Sequence, residues 1–151
     1  MSTLLIDELF TGVTFEQPIR IQRSCQVGAI RLWIYKNGTL TSGNLTLQVY
    51  DGATLLKTAS IPYTDINSAV VLDYAHGYIR FDLEPLSLNV SETESYHEYT
   101  LKFLMSGYTN DANKYVAVCR EWDQNKYTVY DGPIINDSEE PAGIEIYAYR
   151  G

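Results

Sequence analysis

Basic residues, cysteine and long apolar runs are all scarce in this chain of 151 residues, and each shortage excludes something. Lys and Arg number 11 against 19 Asp and Glu, which gives a formal net charge of −8 and a pI near 4.6. Nucleic-acid binders draw most of their affinity from cationic contacts to phosphate, so this balance argues against a nucleic-acid partner. Cys25 and Cys119, the only cysteines, belong to no C-x-x-C pair and no Cys/His cluster, which argues against a zinc site. They can close one bridge if their strands meet; in a reducing compartment they are buried thiols. No stretch approaches the roughly 18 uncharged residues that a spanning helix needs, so no membrane is expected. The opening residues Met1 to Phe10 lack a basic region, and Asp7 and Glu8 cut their apolar run; no secretory leader is expected, and the chain reads as cytosolic. The N-x-Ser/Thr sequons at Asn37, Asn44, Asn89 and Asn136 then read as chance products of an Asn- and Thr-rich sequence.

Helical periodicity is missing as well. No segment longer than two turns repeats apolar residues at 3.6, and there is no internal repeat, low-complexity tract or domain boundary. A chain of this length buries roughly 68–70% of the surface its unfolded form exposes, enough for a core without staples. A single domain over 1–151 is expected, with residues 1–14 free to form an N-terminal arm.

Period-2 alternation fills the rest. Phe15, Ile19 and Ile21 begin an apolar face. Ile30, Leu32 and Ile34 alternate with Arg31, Trp33 and Tyr35, and Leu45, Leu47 and Val49 alternate with Thr46, Gln48 and Tyr50. Asp51-Gly52 then signals a tight hairpin whose turn needs positive φ. The return strand over 53–61 loses its alternation at Leu55-Leu56, which predicts a bulge or a sheet edge. Pro62 ends it, and 63–76 reads as a looser connection with a short strand or one helical turn at 69–72. Ile79, Phe81 and Leu83; Leu86, Leu88 and Val90; Tyr99, Leu101, Phe103 and Met105; Val116 and Val118; and Ile144, Ile146 and Ala148 supply the later faces. Eight or nine short strands with turns every 8–12 residues predict an all-β, antiparallel sandwich. The Cys25 to Cys119 separation, with no Trp midway, favours a jelly roll over an immunoglobulin arrangement.

Three stretches carry a family likeness: Gly43 to Gly52 with its return Thr54 to Thr58; Gly77-Tyr-Ile-Arg-Phe-Asp-Leu83 leading to Leu86-Ser-Leu-Asn-Val90; and Tyr99-Thr-Leu-Lys-Phe103. In this order, closed by Gly143 to Gly151, they resemble the galactose-binding-like jelly rolls of carbohydrate-binding modules and of accessory proteins in phage particles. The resemblance implies a fold over most of the chain and transfers no ligand residue, because strand patterns are not binding signatures.

Catalytic groups are thin. His76 and His97 are the only histidines, and His97 shares the parity of Tyr99, Leu101 and Phe103, which places it at the rim of the core. Ser24 lacks a G-x-S-x-G context, and no phosphate loop or H-E-x-x-H occurs. Carboxylates abound, but a glycosidase needs two of them across a cleft at a defined separation, which sequence does not reveal. No enzymatic activity is expected, and no cofactor. Asp65, Asp73, Asp131, Asp137, Glu139 and Glu140 lie in expected loops where calcium could find oxygen ligands, but without EF-hand spacing they read as solvated turns.

Aromatic residues are the positive signal: 13 Tyr, 2 Trp and 4 Phe. Trp33, Tyr35, Tyr50, Tyr78, Tyr147 and Tyr149 all fall opposite the apolar parity. Any one of them is ordinary on an exposed strand face, but six predict an amphipathic exterior larger than a monomer normally shows. A second cluster, Trp122, Asp123, Asn125, Lys126, Tyr127 and Tyr130, occupies one polar loop and suits stacking on a sugar ring, or folding back on the sandwich edge. Together with the family resemblance, these features lead to the expectation of a non-catalytic phage virion protein. It would decorate or cement a capsid, or join a tail or neck, touching a major capsid protein or tail subunits as a homo-oligomer, with a trimer natural at threefold positions. The alternative is a carbohydrate-binding module that reads host glycans through the 122–130 loop.

Overall fold

In the computed structural model, residues 4–9, 14–69, 76–107, 115–121, 128–130, 134–135 and 144–149 are described. The strands are β1 (Leu4–Leu9), β2 (Thr14–Ile21), β3 (Cys25–Asn37), β4 (Asn44–Asp51) and β5 (Thr54–Pro62), followed by the short helix α1 (Tyr63–Ala69). Then come β6 (His76–Asp82), β7 (Ser87–Leu88), β8 (His97–Ser106), β9 (Tyr115–Glu121), β10 (Thr128–Tyr130), β11 (Ile134–Ile135) and β12 (Ile144–Tyr149).

Two sheets result. In one, β1 pairs with β9, β9 with β3, and β6 lies on the other side of β3. In the other the order is β11-β2-β8-β4-β5. Setting aside the short additions, β1-β9-β3-β6 faces β2-β8-β4-β5, and the chain changes sheet at every connection except the β4–β5 hairpin. That is jelly-roll connectivity. The larger sheet is extended by β12, which shares a side of β3 with β9, and by β10, which runs parallel to β12. The segment expected as an arm contributes β1, paired along its whole length with β9. The looser connection expected over 63–76 begins with α1, whose Ile66 is fully buried. Among the described residues, no helix is long and apolar enough to cross a membrane.

Alternation along each strand decides which side chains meet between the sheets. From one side come Ile30, Leu32 and Ile34 of β3, Ile79 and Phe81 of β6, and Ile144 and Ile146 of β12; from the other come Leu45, Leu47 and Val49 of β4, and Tyr99, Leu101, Phe103 and Met105 of β8. Phe81 and Phe103 meet across the layer with centroids 5.9 Å apart and planes tilted by 54°. Among the described residues, one polar side chain shares the interior: Gln17, whose Nε2 donates to the Pro18 carbonyl at 2.9 Å. Cys25 is a buried free thiol, and burial pushes its pKa up.

Bulges tune this parity twice. Against β12, the register of β3 jumps from Ala29 to Val27, so Gly28 is the extra residue. Cys25 and Val27 therefore point inward before the jump, and Ile30, Leu32 and Ile34 after it. On β5 the register passes from Lys57 to Leu55, leaving Leu56 extra. The alternation broken at Leu55-Leu56 thus corresponds to both features anticipated, a bulge on an edge strand. Leu55 and Leu56 are 46% and 38% exposed.

The hairpin turn falls one residue later than a centred Asp-Gly pair would put it. Asp51 pairs with Thr54, and Gly52 takes the first loop position with φ of 59°. A Cβ there would meet nothing within 4 Å, so the cost of a side chain is purely that of the left-handed backbone. Gly52→Ala is expected to lower the unfolding free energy by about 1–2 kcal/mol. Phe103→Ala empties the centre of the layer and is expected to cost about 3–5 kcal/mol. Urea titration with an unchanged m-value checks both.

Candidate functional site

Trp33, Tyr35, Tyr78 and Tyr147 stand on the outer side of the larger sheet, on strands whose inward residues are Leu32, Ile34, Ile79 and Ile146. Trp33 and Tyr78 are directly opposed in register and stack with centroids 6.1 Å apart and planes 20° from parallel. Two guanidiniums bind the layer together. Arg31 lies over the Tyr78 ring at 4.4 Å and donates from Nη1 to the Tyr147 hydroxyl at 3.2 Å. Arg80 lies 5.7 Å from the Tyr147 ring and donates from Nε to Asp82 at 2.9 Å. Arg31 and Arg80 oppose each other across β3 and β6, so like charges sit side by side, and the aromatic faces and Asp82 offset their repulsion.

The exterior is less open than six outward aromatics would imply. Trp33, Tyr35 and Tyr147 are half-buried; Tyr78 is 40% exposed. The reason is lateral: on a sheet face, neighbouring rings and guanidiniums cover one another. Nor do the six form one patch. Tyr50 lies on the outer side of the opposite sheet, half-buried, with Lys102 Nζ 4.4 Å from its ring centroid. Tyr149 ends β12, and its side chain lies outside the described residues. So do Trp122, Asp123, Asn125, Lys126 and Tyr127; of Tyr130 only the backbone is described, paired with Tyr147. Among the calcium candidates, Asp65 is exposed in the first turn of α1, and Asp73, Asp131, Asp137, Glu139 and Glu140 lie outside the described residues. Among the described residues, no group of three His, Cys, Asp or Glu side chains is placed to hold a metal ion.

A second feature occupies one end of the sandwich. Asp51, Leu56, Ser87, Asn89, Val90, Ser91, Glu94, His97 and Tyr99 line a cleft of about 350 Å³. Tyr99, at the edge of the core, sends its hydroxyl to the Asn89 carbonyl and accepts from the Asn89 N–H, both at 2.7 Å. Burial pushes the Tyr99 hydroxyl up from its ordinary pKa. His97, packed against the Tyr99 ring at 4.8 Å, places Nε2 2.8 Å from Asp51 and Nδ1 2.8 Å from Glu94. The hydrogen bonds to Asp51 and then to Glu94 raise the His97 pKa; the bond to His97 and the Ser91 N–H hold Glu94 below the usual carboxylate range. The carboxylates sit on different ring nitrogens and do not converge on a point.

Parity in the sequence places His97 at the core rim, where it is found. The partners were legible only as fragments: Glu94 and His97 have i,i+3 spacing in a turn, and Asp51 belongs to the hairpin dipeptide. Nothing local brings Asp51 and His97, 46 positions apart, together; sheet order does.

No protein-family model and no curated protein matches the chain. Eight chains of known structure match it. One, from the "Structure of infectious bursal disease virus Gt strain", is 13% identical over 95% of this chain and 38% of that chain, with a TM-score of 0.33. The chain thus spans well under half the length of that relative, and a likeness so distant carries no functional conclusion. None of these comparisons shows the galactose-binding-like family; the structure shows the all-β sandwich with jelly-roll connectivity.

Tyr99→Phe removes both bonds to Asn89 while keeping the ring. A loss of about 1–2 kcal/mol is expected, read by thermal or urea unfolding. Faster amide exchange at Asn89 and Val90 would accompany it.

Proposed function

We propose that this protein is a non-catalytic structural component of a virus particle, that of a phage, and that it acts through the outer face of its larger sheet. It would decorate or cement a capsid, or seat at a tail or neck, against a major capsid protein or tail subunits and further copies of itself. One observation carries the reading: Trp33, Tyr78, Tyr147, Arg31 and Arg80 form a preassembled layer on the outside of a jelly roll. Trp, Tyr and Arg are the residues enriched at interface centres, and held in place by their neighbours they lose little entropy on docking. Jelly rolls are the common domain of viral shells, and also of lectins, so the fold accommodates the carbohydrate-binding alternative as well. Of the glycan-loop residues, only the Tyr130 backbone lies among the described residues.

The test is association. Light scattering after size exclusion, alone and with the major capsid protein from the same genome, is expected to show assembly or co-elution. Tyr78→Ala and Trp33→Ala are each expected to weaken it by about tenfold or more. A chain that stays monomeric, ignores the capsid protein and binds an oligosaccharide array through Trp122 would replace this reading with the alternative.

A further inference from the structure

We infer that His97 is a proton-operated clasp, which fastens the β4–β5 hairpin and the 91–95 turn to the start of β8 when its ring is charged and releases one of them when the ring is neutral. The chemistry follows from the two 2.8 Å contacts. Ionised carboxylates only accept hydrogen bonds, so an imidazole bonded to one at each nitrogen must donate from both, which makes it an imidazolium. Remove one proton, and a nitrogen lone pair faces a carboxylate oxygen. That contact turns repulsive, and Asp51 and Glu94 compete for the single N–H that remains.

Among the described residues that line the cleft, no other charged group could take over. Asp51 approaches from the end of β4, and Glu94 from the turn, where Ser91 N–H also donates to it at 2.9 Å. On β8 the neighbour is Tyr99, whose hydroxyl is committed to Asn89. On β2 the register partner of His97 is the buried Ile21. Leu56 of β5, Ser87 of β7, and Asn89, Val90 and Ser91 complete the cleft without charge. The adjacent Arg20 is turned to Glu98 at 3.5 Å and to the Tyr96 ring at 4.5 Å. With His97 charged, these groups sum to one negative charge; with it neutral, to two, in a cleft partly closed from water.

The sign is fixed by the raised pKa of His97. Its contribution is complete below the ordinary imidazole value of about 6.5 and is lost as pH rises through the folded value. The lowered pKa of Glu94 keeps that partner ionised on the acidic side. The clasp is therefore closed below the ordinary imidazole value and opens as pH rises through the higher folded value. The outward aromatic face lies on the other sheet, so the device stands whether or not that face docks a partner.

A side-chain NMR titration of the intact protein tests the inference directly. His97 is expected to titrate above the ordinary imidazole value, and Asp51→Asn and Glu94→Gln are each expected to bring it down. Amide exchange, corrected for its intrinsic pH dependence, is expected to lose protection at 51–54 or 91–94 as His97 deprotonates, with the β8 core unchanged. Glu94→Gln, a change at an exposed position, should move that loss to lower pH, and His97→Gln should abolish its pH dependence. A His97 that titrates at or below the ordinary value, or a His97→Gln protein that keeps the wild-type exchange profile, would overturn it. Neither readout moves with association, so failure here leaves the virion reading standing, and the converse also holds.

Discussion

Everything in this molecule rests on one layer of side chains about 10 Å thick, into which each of two sheets must turn one face and only one. A strand has two faces in strict alternation, so committing Ile30, Leu32 and Ile34 to that layer commits Arg31, Trp33 and Tyr35 to the outside. The same commitment, made on β6 and β12, brings Tyr78, Arg80 and Tyr147 alongside them. The outward layer is thus a by-product of the inward one. Its members are far apart in sequence and become neighbours because their strands share a register. Where the register is adjusted, at Gly28 and at Leu56, the bulge preserves burial on both sides of the jump.

An outward face built this way has a character of its own. Large rings at the surface would leave apolar area open to water, and the sheet answers by laying them on one another and under guanidiniums. The result is half-buried and still amphipathic. The opposite end of the sandwich solves a different problem. There the strands stop, the turns begin, and polar groups instead of rings hold the ends: the Tyr99 hydroxyl on the Asn89 backbone, and His97 between two carboxylates. Packing fixes the first face; protons govern the second.

How much of this could be read beforehand varied with the range of the interaction. Faces were legible residue by residue, because alternation is a local property: Leu45, Leu47 and Val49, or Tyr99, Leu101 and Phe103, announce their parity within five or six positions. The disturbed strand at Leu55-Leu56 was legible for the same reason. The strand made by residues 4–9 was not, since six residues that include Asp7 and Glu8 become a strand only when β9 offers an edge. The degree of exposure of Trp33 and Tyr147 was equally hidden, because it depends on which residues lie across the strand boundary.

The sequence by itself determined the class of fold, the inward and outward sets among the described residues, the hairpin at Gly52 and the core-rim position of His97, all of them consequences of spacing along one strand or turn. Tertiary structure alone decided that Trp33 meets Tyr78, that Arg31 joins Tyr78 to Tyr147, and that Asp51 reaches His97 across 46 residues of chain. The physical reason is that strand order and register are settled by the total burial of both sheets at once. No single strand carries that sum.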